Sequence, residues 1–280
     1  MVSNEKRPFH RAMILIFTDL DATLLDAETY SWDAARPALE LLGERGIPWV
    51  MVSSKTRAEM EHLREEIGHR HPYVVENGGA AYIPAGYFNA MPAAERMVWG
   101  TPYAELVTAL RAAAKVSGCR VRGLHEMTDA EVSRLTGLPM AAAARARQRE
   151  YDEPFEILDG DRAPALLTAI EGAGFRWTHG GRLHHILGNN DKATAVRALT
   201  ARYVRQFGPV RTIGLGDSLN DLPLLRAVDT PVLVRSDRTP APELLALGAR
   251  YTREPGPAGW NESVLALLGA GPASSEMAPE

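Results

Sequence analysis

The chain has 280 residues, 45% of them hydrophobic and 24% charged, with a formal net charge of −4. This length suits one large domain or two smaller ones, and the acidic balance argues against a nucleic-acid partner, which favours a basic surface. An anionic substrate is not excluded, because a local pocket can be positive on an acidic protein. The single cysteine, Cys119, excludes an internal disulfide.

The apolar runs are too short for a membrane protein. None approaches the roughly 18–20 residues that a transmembrane helix needs. Residues 1–11 are polar and charged, and the apolar stretch over 12–17 is too short for a secretory signal and ends in an acid. We therefore expect a cytoplasmic protein with no membrane partner.

Apolar runs and helix signals alternate regularly in the first 75 residues. Residues 13–17 form a continuous apolar run, which is typical of a strand buried on both faces of a parallel sheet. The elements predicted after it are a helix over 31–45, a strand over 47–52, a helix over 56–67 and a strand over 73–75. This alternation indicates a parallel sheet with right-handed crossovers.

The pattern is less regular between residues 84 and 185. The predicted helices are 103–115, 127–136, 140–150 and 163–171, and the predicted strands are 155–158, 175–178 and 182–187. This mixture indicates a separate α+β module. The parallel pattern then resumes with a helix over 190–207, a strand over 210–215, a helix over 221–227 and a strand over 231–234.

The predicted architecture is therefore an α/β core with a Rossmann-like parallel sheet, interrupted by an α+β cap. We assign residues 1–84 to the first core segment, 85–185 to the cap and 186–270 to the second core segment. Residues 271–280 are small, polar and rich in proline, which predicts a disordered tail.

A pair of acids follows the first predicted strand. Asp19 and Asp21, in the string Asp-Leu-Asp-Ala-Thr, stand at the strand end where α/β sheets bind ligands. One carboxylate can attack phosphorus, and the other can protonate the leaving oxygen and later activate water. Taken alone, the pair is equally typical of a strand-end turn with solvated acids.

A Gly-rich acidic string, Gly-Leu-Gly-Asp-Ser-Leu-Asn-Asp, ends a later buried strand at residues 214–221. Glycines let the backbone pass close to a ligand. Asp217 and Asp221 offer the hard oxygen ligands that Mg²⁺ prefers. Two acidic strand ends in one sheet would repel each other without a cation, so the sequence predicts a magnesium site.

Two further elements offer hydroxyl groups and positive charge. Ser53 and Ser54 stand between a strand and a helix, where hydroxyls and free backbone N–H groups can hold a phosphate. Lys192 stands at the start of the long helix after the insert and can neutralise a phosphoryl group together with its nucleophile. In isolation the serines would be an ordinary helix cap and Lys192 a surface lysine.

In their order along the chain, the four elements resemble the haloacid dehalogenase-like phosphatase superfamily. The resemblance implies a Mg²⁺-dependent phosphatase with Asp19 as the nucleophile and Asp21 as the general acid and base. It also implies that Ser53 and Lys192 hold the phosphoryl group.

The same resemblance implies a ligand set for Mg²⁺. The ligands would be Asp19, the backbone carbonyl of Asp21, and Asp217, with Asn220 and Asp221 supporting them. One departure is visible, because Ala22 stands where the family usually has glycine. Alanine restricts φ, so this position tests whether the backbone needs a positive φ there. No catalytic atom is removed, and we expect activity to survive.

The place of the insert resembles the larger cap, type C2, of the sugar-phosphatase branch of this superfamily. Short strings at residues 54–59, 76–80, 149–155, 181–185 and 256–262 together resemble the mannosyl-3-phosphoglycerate phosphatases. That resemblance implies hydrolysis of mannosyl-3-phosphoglycerate to mannosylglycerate and phosphate through an aspartyl-phosphate. The substrate would carry a phosphate, a carboxylate and a sugar.

Polar residues in and near these strings are the candidates for substrate binding, since cationic side chains can meet the extra negative charge. The candidate set is Ser54, Lys55, Arg57, Asn77, Gly78, Arg149 and Arg182. Glu150 and Asp152 are further candidates for sugar hydroxyls, and Trp260 either stacks on a sugar or fills the core. His184 and His185 alternate on a predicted strand, so at most one of them faces the cleft.

Three alternatives stay open at this stage. The first is a phosphatase of the same fold acting on a glucosyl analogue, sucrose phosphate or a hexose phosphate. The second is a phosphosugar mutase, and the third is a non-catalytic sugar-phosphate sensor, against which the intact Asp19, Asp21 and Lys192 argue. Mannosyl and glucosyl groups differ in the orientation of one hydroxyl, which the sequence does not resolve. The oligomeric state is likewise open.

Overall fold

A computed structural model of the chain describes residues 12–89, 91–180 and 183–269. The strands in these ranges are β1 Met13–Thr18, β2 Trp49–Val52, β3 Tyr73–Val75, β4 Ala80–Ile83, β5 Glu95–Val98, β6 Val121–Gly123, β7 Asp152–Ile157, β8 Arg176–Gly180, β9 Leu183–Leu187, β10 Val210–Gly216, β11 Thr230–Arg235 and β12 Arg250–Pro255. The helices are α1 Arg36–Glu44, α2 Arg57–Ile67, α3 Tyr103–Ser117, α4 Asp129–Thr136, α5 Met140–Ala146, α6 Ala163–Gly172, α7 Lys192–Phe207, α8 Leu222–Arg226, α9 Pro242–Leu245 and α10 Gly256–Leu267. The predicted disordered tail, 271–280, lies outside the described residues.

An eight-stranded sheet forms the core, in the order β12-β11-β10-β1-β2-β3-β4-β5. The six strands from β12 to β3 are parallel, whereas β4 and β5 are antiparallel to their neighbours. Side chains of β1 alternate between the two faces: Ile16 packs into one buried cluster, and Leu15 and Phe17 pack into the other. This confirms the predicted α/β class with a Rossmann-like sheet.

A second, four-stranded antiparallel sheet has the order β6-β7-β9-β8. Helices α3 and α6 cover one side of it, where Leu106, Phe155 and Ile186 belong to one buried cluster. Helices α4 and α5 form a smaller cluster with β9, which contains Val132 and Leu183. This unit enters the chain between β5 and α7, so it is an insert in the core.

The core sheet extends further along the chain than the sequence indicates. The sequence patterns predict neither β4 nor β5. They begin the cap at residue 85, whereas β5 belongs to the core sheet. Each strand has only four residues, and β5 alternates between half-buried and exposed as an edge strand does. Such short segments carry a weak apolar signal. β6, β12 and α10 are likewise absent from the sequence prediction.

Helix α2 shows how local sequence sets a boundary near the site. Thr56 is the N-cap, because its hydroxyl accepts the backbone N–H of Glu59 and the Glu59 carboxylate accepts the backbone N–H of Thr56. Gly68 ends the helix with φ +74°. No helix within the described ranges is both long and apolar enough to cross a membrane.

His69 is a buried neutral histidine behind the sheet. Its Nε2 lies 2.9 Å from the carbonyl oxygen of Trp49, and its Nδ1 accepts the Nε–H of Arg64 at 3.1 Å. In the neutral ring, Nε2 carries the hydrogen and donates it to the Trp49 carbonyl, while Nδ1 accepts from Arg64. Burial lowers the pKa of His69 to about 3, so folding excludes a proton that the unfolded chain would bind below about pH 6.5.

We expect the contribution of His69 to the free energy of unfolding to fall as pH drops below about 6.5. Because the folded-state pKa of His69 is depressed, its contribution is fully present above the unfolded pKa and is lost at up to about 1.4 kcal/mol per pH unit below it. Denaturant unfolding at pH 7.5, 6.0 and 5.0 measures this slope. His69→Gln should flatten it, whereas His62→Gln, on the exposed face of α2, should not. Equal slopes in all three proteins would contradict the assignment.

Candidate active site

A cavity of about 340 Å³ lies between the carboxyl ends of the core strands and the inserted unit. Its core side is polar and its cap side is largely apolar. The lining residues from the core include Asp19, Asp21, Ser54, Lys55, Asp217 and Asn220, and those from the insert include Leu124, Val132, Leu138, Arg149, Leu183 and His185. The strand ends thus bring together most of the residues that the sequence singles out.

Lys192 lies between two carboxylates at the floor of the site. Its Nζ is 2.5 Å from Oδ1 of Asp19 and 2.6 Å from Oδ1 of Asp221. Its side chain is only 1% exposed, so the ammonium has exchanged water for two carboxylates. Burial alone would lower the pKa of Lys192, but Asp19 and Asp221 outweigh it and raise the pKa above its ordinary value. Lys192 is therefore a permanent cation in contact with the predicted nucleophile.

The chain positions this lysine through a tight turn and a helix cap. Asp191 caps α7 by accepting the backbone N–H of Thr194 at 2.9 Å. Gly78 packs against the same point with φ +87°, and a Cβ there would lie 2.1 Å from the carbonyl oxygen of Asp191. Gly78 is thus required for the close approach that seats the start of α7, and it does not line the cavity.

Three buried acids converge beside Lys192. One oxygen each from Asp19, Asp217 and Asp221 lies within 4.8 Å of the others. Burial and the neighbouring Asp221 raise the pKa of Asp217 to about 7. The same two causes raise the pKa of Asp19 well above its usual range, although Lys192 opposes them. A cation would relieve this repulsion, and three carboxylates are the hard donors that suit Mg²⁺.

Asp221 is already occupied by protein donors. Its Oδ2 accepts the backbone N–H groups of Asp217 and Ser218, each at 3.1 Å, while its Oδ1 binds Lys192. Gly216 makes this packing possible, since a Cβ there would lie 2.5 Å from the Cβ of Asp221. The carboxylates of Asp19 and Asp217 both line the cavity. This arrangement fits a supporting role for Asp221 and a liganding role for the other two.

Asp21 lies at the cavity edge against Lys55. Nζ of Lys55 is 2.8 Å from Oδ1 of Asp21 and 3.8 Å from Oε1 of Glu59. Burial disfavours the Lys55 cation, but the two acids outweigh it and raise the pKa of Lys55. The Asp21 side chain is 39% exposed, which leaves it accessible from the cavity.

Ala22 adopts the left-handed conformation, with φ +58°. The position therefore needs the positive φ that glycine adopts freely, and alanine occupies it under strain. The turn holds Thr23 beside the acid cluster, where its Oγ1 donates to Oδ1 of Asp217 at 3.4 Å.

The other predicted residues around the serine string lie in three places, which are the buried core, the cavity and the surface of α2. Ser53 is fully buried, and its Oγ accepts the backbone N–H of Lys55 at 3.2 Å. Ser54 and Arg149 line the cavity, and Nη1 of Arg149 donates to the carbonyl of Ser54 at 2.7 Å. Arg57 points away: it pairs with Glu61 at 2.7 Å on the outside of α2 and does not line the cavity.

Several predicted sugar contacts are instead structural. Asn77 is buried, and its Nδ2 donates to Oδ2 of Asp152 at 2.6 Å. Asp152 is fully buried, so neither side chain reaches the cavity. Trp260 is also fully buried and donates to Thr18 at 2.9 Å, so it packs in the core. Arg182 lies outside the described residues.

Two residues that the sequence reasoning does not assign matter here. His185 lines the cavity and its Nδ1 lies 2.7 Å from Oδ1 of Asp152. Glu76 is fully buried and accepts the backbone N–H groups of Glu150 and Tyr151, with the shortest contact at 2.7 Å. Burial raises the pKa of Glu76 to about 8. The sequence signal for Glu76 is its place in the string at 76–80. For His185 it is the string at 181–185 and the alternation with His184, which lets at most one of the two face the cleft.

Comparisons with known proteins show which family this chain is similar to. A family model described as haloacid dehalogenase-like hydrolase matches residues 16–90. A glucosyl-3-phosphoglycerate/mannosyl-3-phosphoglycerate phosphatase from Methanococcoides burtonii is 43% identical over 264 residues, which is 91% of this chain and 97% of the relative. A mannosyl-3-phosphoglycerate phosphatase from Pyrococcus horikoshii is 34% identical over 79% of this chain and 90% of the relative.

Solved structures support the fold. A protein of Thermoplasma acidophilum aligns with a TM-score of 0.68 and 18% identity, covering 93% of this chain and all of the other. The subclass IIB sugar phosphatase BT4131 aligns with a TM-score of 0.64 and 16% identity, covering 92% of this chain and 100% of the other. Both alignments cover more than nine-tenths of this chain, so the similarity extends over the core and the insert.

Replacing Ala22 with glycine should stabilise the protein. Relief of left-handed strain of about 1–2 kcal/mol outweighs the extra chain entropy of glycine, about 0.5–1 kcal/mol, for a net gain near 0.5–1 kcal/mol. The free energy of unfolding of Ala22→Gly measures this, and turnover should persist. Ala27→Gly is the matched control in a neighbouring turn without a positive φ, and it should lose stability. A loss in both variants would show that position 22 is unstrained.

Proposed function

This chain belongs to the haloacid dehalogenase-like hydrolases and is a phosphoric monoester hydrolase, and from that premise we propose that it hydrolyses mannosyl-3-phosphoglycerate in a Mg²⁺-dependent reaction. The products would be mannosylglycerate and phosphate. The observation that carries the proposal is one cavity in which Asp19 and Asp217 lie on the floor, Lys55 and Arg149 supply positive charge, and the insert closes the other side. A substrate with a phosphate, a carboxylate and a sugar matches these three parts.

The proposed chemistry proceeds in two displacements at phosphorus. The carboxylate of Asp19 attacks the phosphoryl group, the bond from phosphorus to the glycerate oxygen breaks, and an aspartyl-phosphate forms. Asp21 gives its proton to the departing oxygen, then removes a proton from water. That water attacks the phosphorus of the intermediate, which releases phosphate and restores the carboxylate of Asp19.

Lys192 and Ser53 are proposed to hold the phosphoryl group. Lys192 contacts the nucleophile directly at 2.5 Å, so a phosphoryl group arriving at Asp19 meets its ammonium. The backbone N–H of Lys55 donates to the Ser53 hydroxyl oxygen, which leaves the Ser53 hydrogen available for a phosphoryl oxygen. Phosphoryl transfer depends mainly on alignment and charge stabilisation, which these groups supply.

Mg²⁺ would be held by Asp19, the backbone carbonyl of Asp21, and Asp217. Asn220 and Asp221 would support that set, consistent with the hydrogen bonds that Asp221 already makes to the loop. When bound, Mg²⁺ supplies positive charge against the transferring phosphoryl group. Burial and the neighbouring Asp221 raise the pKa values of Asp19 and Asp217, and these shifts support the assignment because a bound cation would stabilise the ionised carboxylates.

The glycerate carboxylate is proposed to bind near Lys55 and Arg149, with Ser54 between them. Nη1 and Nε of Arg149 donate to the carbonyls of Ser54 and Ala146, so they fix that wall, and Nη2 is the nitrogen proposed to meet the carboxylate. Arg182 keeps its proposed role on sequence grounds. Arg57, Asn77 and Gly78 leave the set of direct contacts for the reasons given above.

Glucosyl-3-phosphoglycerate is the second candidate substrate. Two relatives that cover 91% of this chain, from Methanococcoides burtonii and Persephonella marina, carry names that join the glucosyl and mannosyl activities. Their identities of 43% and 38% to this chain favour a cavity that accepts either sugar.

Removing the nucleophile should abolish turnover. Asp19→Asn loses the attacking carboxylate, so kcat should fall by at least about 10³-fold while the fold survives. Phosphate release and far-UV circular dichroism measure the two properties. Glu40→Gln, an exposed charge change on α1, is the control and should keep full activity. Near-normal turnover by a folded Asp19→Asn would contradict the nucleophile assignment.

Substrate and metal dependence form a separate test. Phosphate release should be fastest with mannosyl- and glucosyl-3-phosphoglycerate, slower with sucrose phosphate and hexose phosphates, and lost when a chelator removes Mg²⁺. Restoring Mg²⁺ should restore the rate, since the acid cluster needs a cation to accept a phosphate. A generic aryl phosphate turned over as well as the glycosyl substrates would refute the substrate proposal, and formation of an isomeric sugar phosphate would indicate a mutase.

A further inference from the structure

We propose that His185 is a specificity-determining residue whose Nε2 accepts a hydrogen bond from a sugar hydroxyl of the leaving group. This inference rests on the proposed function, because it requires a phosphate ester that carries a sugar. It goes beyond that function by assigning the sugar to one atom on the cap.

The cap side of the cavity offers few polar groups. Its described lining is mostly apolar, and the polar side chains on it are Thr136, Arg149 and His185. The Thr136 hydroxyl donates within α4 to the carbonyl of Val132 at 2.7 Å and accepts the backbone N–H of Leu138 at 3.2 Å. Arg149 can only donate, and two of its nitrogens bind backbone carbonyls. His185 is therefore the ring that can offer an acceptor on this wall.

The contact with Asp152 decides which nitrogen of His185 is the acceptor. Oδ2 of Asp152 accepts the Nδ2–H of Asn77 at 2.6 Å, and Nη1 of Arg149 lies 3.8 Å from Oδ1, so both oxygens of Asp152 face donors, as those of a carboxylate do. A carboxylate only accepts hydrogen bonds, and its Oδ1 lies 2.7 Å from Nδ1 of His185. When the ring is neutral, its hydrogen is thus on Nδ1 and Nε2 carries a lone pair.

A lone pair on Nε2 selects among the parts of the substrate. It would repel a carboxylate or a phosphoryl oxygen, whereas a hydroxyl can donate to it. Among the described residues, Nε2 of His185 has no hydrogen-bond partner, although the ring lines the cavity. The apolar side chains around it, including Leu124 and Leu183, suit the carbon face of a sugar ring. The sugar is therefore the part of the substrate that fits this wall.

A chain of side-chain hydrogen bonds fixes the ring relative to the catalytic loop. Oδ2 of Asp152 accepts from Asn77 at 2.6 Å, and Oδ1 of Asn77 accepts from Asn220 at 3.4 Å. Oδ1 of Asn220 accepts from Ser218 at 2.6 Å. This chain runs from the metal-site loop, through the core, to the cap. His185 is thereby oriented before substrate arrives, which is how a precise polar contact gives selectivity.

Two variants separate recognition from structure. His185→Asn keeps a donor near the Nδ1 position and removes Nε2, whereas His185→Gln keeps an acceptor near Nε2 and removes the donor to Asp152. We measure kcat/KM on mannosyl-3-phosphoglycerate and on 3-phosphoglycerate, which has the carboxylate but no sugar. His185→Asn should lose about 10- to 100-fold on the glycosyl substrate alone and keep its thermal midpoint. His185→Gln should keep more selectivity and lose stability, because the buried Oδ1 of Asp152 loses its donor while Asn77 still binds Oδ2.

The outcomes distinguish this inference from the proposed function. Equal losses of kcat/KM on both substrates in His185→Asn, or no loss on either, would overturn the role of Nε2. The proposed function would still stand in that case, provided that the wild-type enzyme prefers the glycosyl substrate. A wild-type enzyme that does not prefer mannosyl- or glucosyl-3-phosphoglycerate over 3-phosphoglycerate would refute the proposed function and this inference together.

Discussion

The ammonium of Lys192, buried between Asp19 and Asp221, is the interaction on which the rest of the site depends. Both carboxylates lie within 2.6 Å of it, and a buried ion pair is stable only when each charge stays paired. One lysine cannot balance three converging acids, so the site keeps an excess of negative charge at the place where a phosphoryl group must bind. The same cluster of side chains therefore contains the nucleophile and favours the binding of a cation.

The sheet supplies the geometry that this pairing requires. β1 and β10 are neighbours in register, with Thr18 opposite Leu215, so the acids that follow them emerge side by side. Lys192 arrives from a helix 173 residues later in the chain than Asp19. The cap is inserted before that helix, at a point where the chain leaves and rejoins the core beside the site. Because the insertion point lies outside the core strands, the cap does not interrupt the strand ends that carry the acids.

Much of this arrangement is visible in the sequence, and the exceptions have physical reasons. β1, β2, β3 and β11 contain continuous buried apolar runs, whereas the edge strand β5 alternates between half-buried and exposed residues. Asn77 and Gly78 were expected at the substrate, but they build the turn that seats Asp152 and α7. Whether a polar residue contacts a ligand or a neighbour depends on tertiary pairing. The contact between Asp152 and His185 joins two antiparallel cap strands, and such register is not legible from residue types.

One strained turn, at Glu76 and Asn77, lies where the core and the cap are joined. Glu76 and Asn77 are consecutive residues with φ +48° and +54°, and both are buried against the segment that contains Tyr151 and Asp152. Such conformations persist only where surrounding contacts over-determine them. Here the surrounding contacts are the hydrogen bonds that tie the cap to the core, so the strain and the tie support each other.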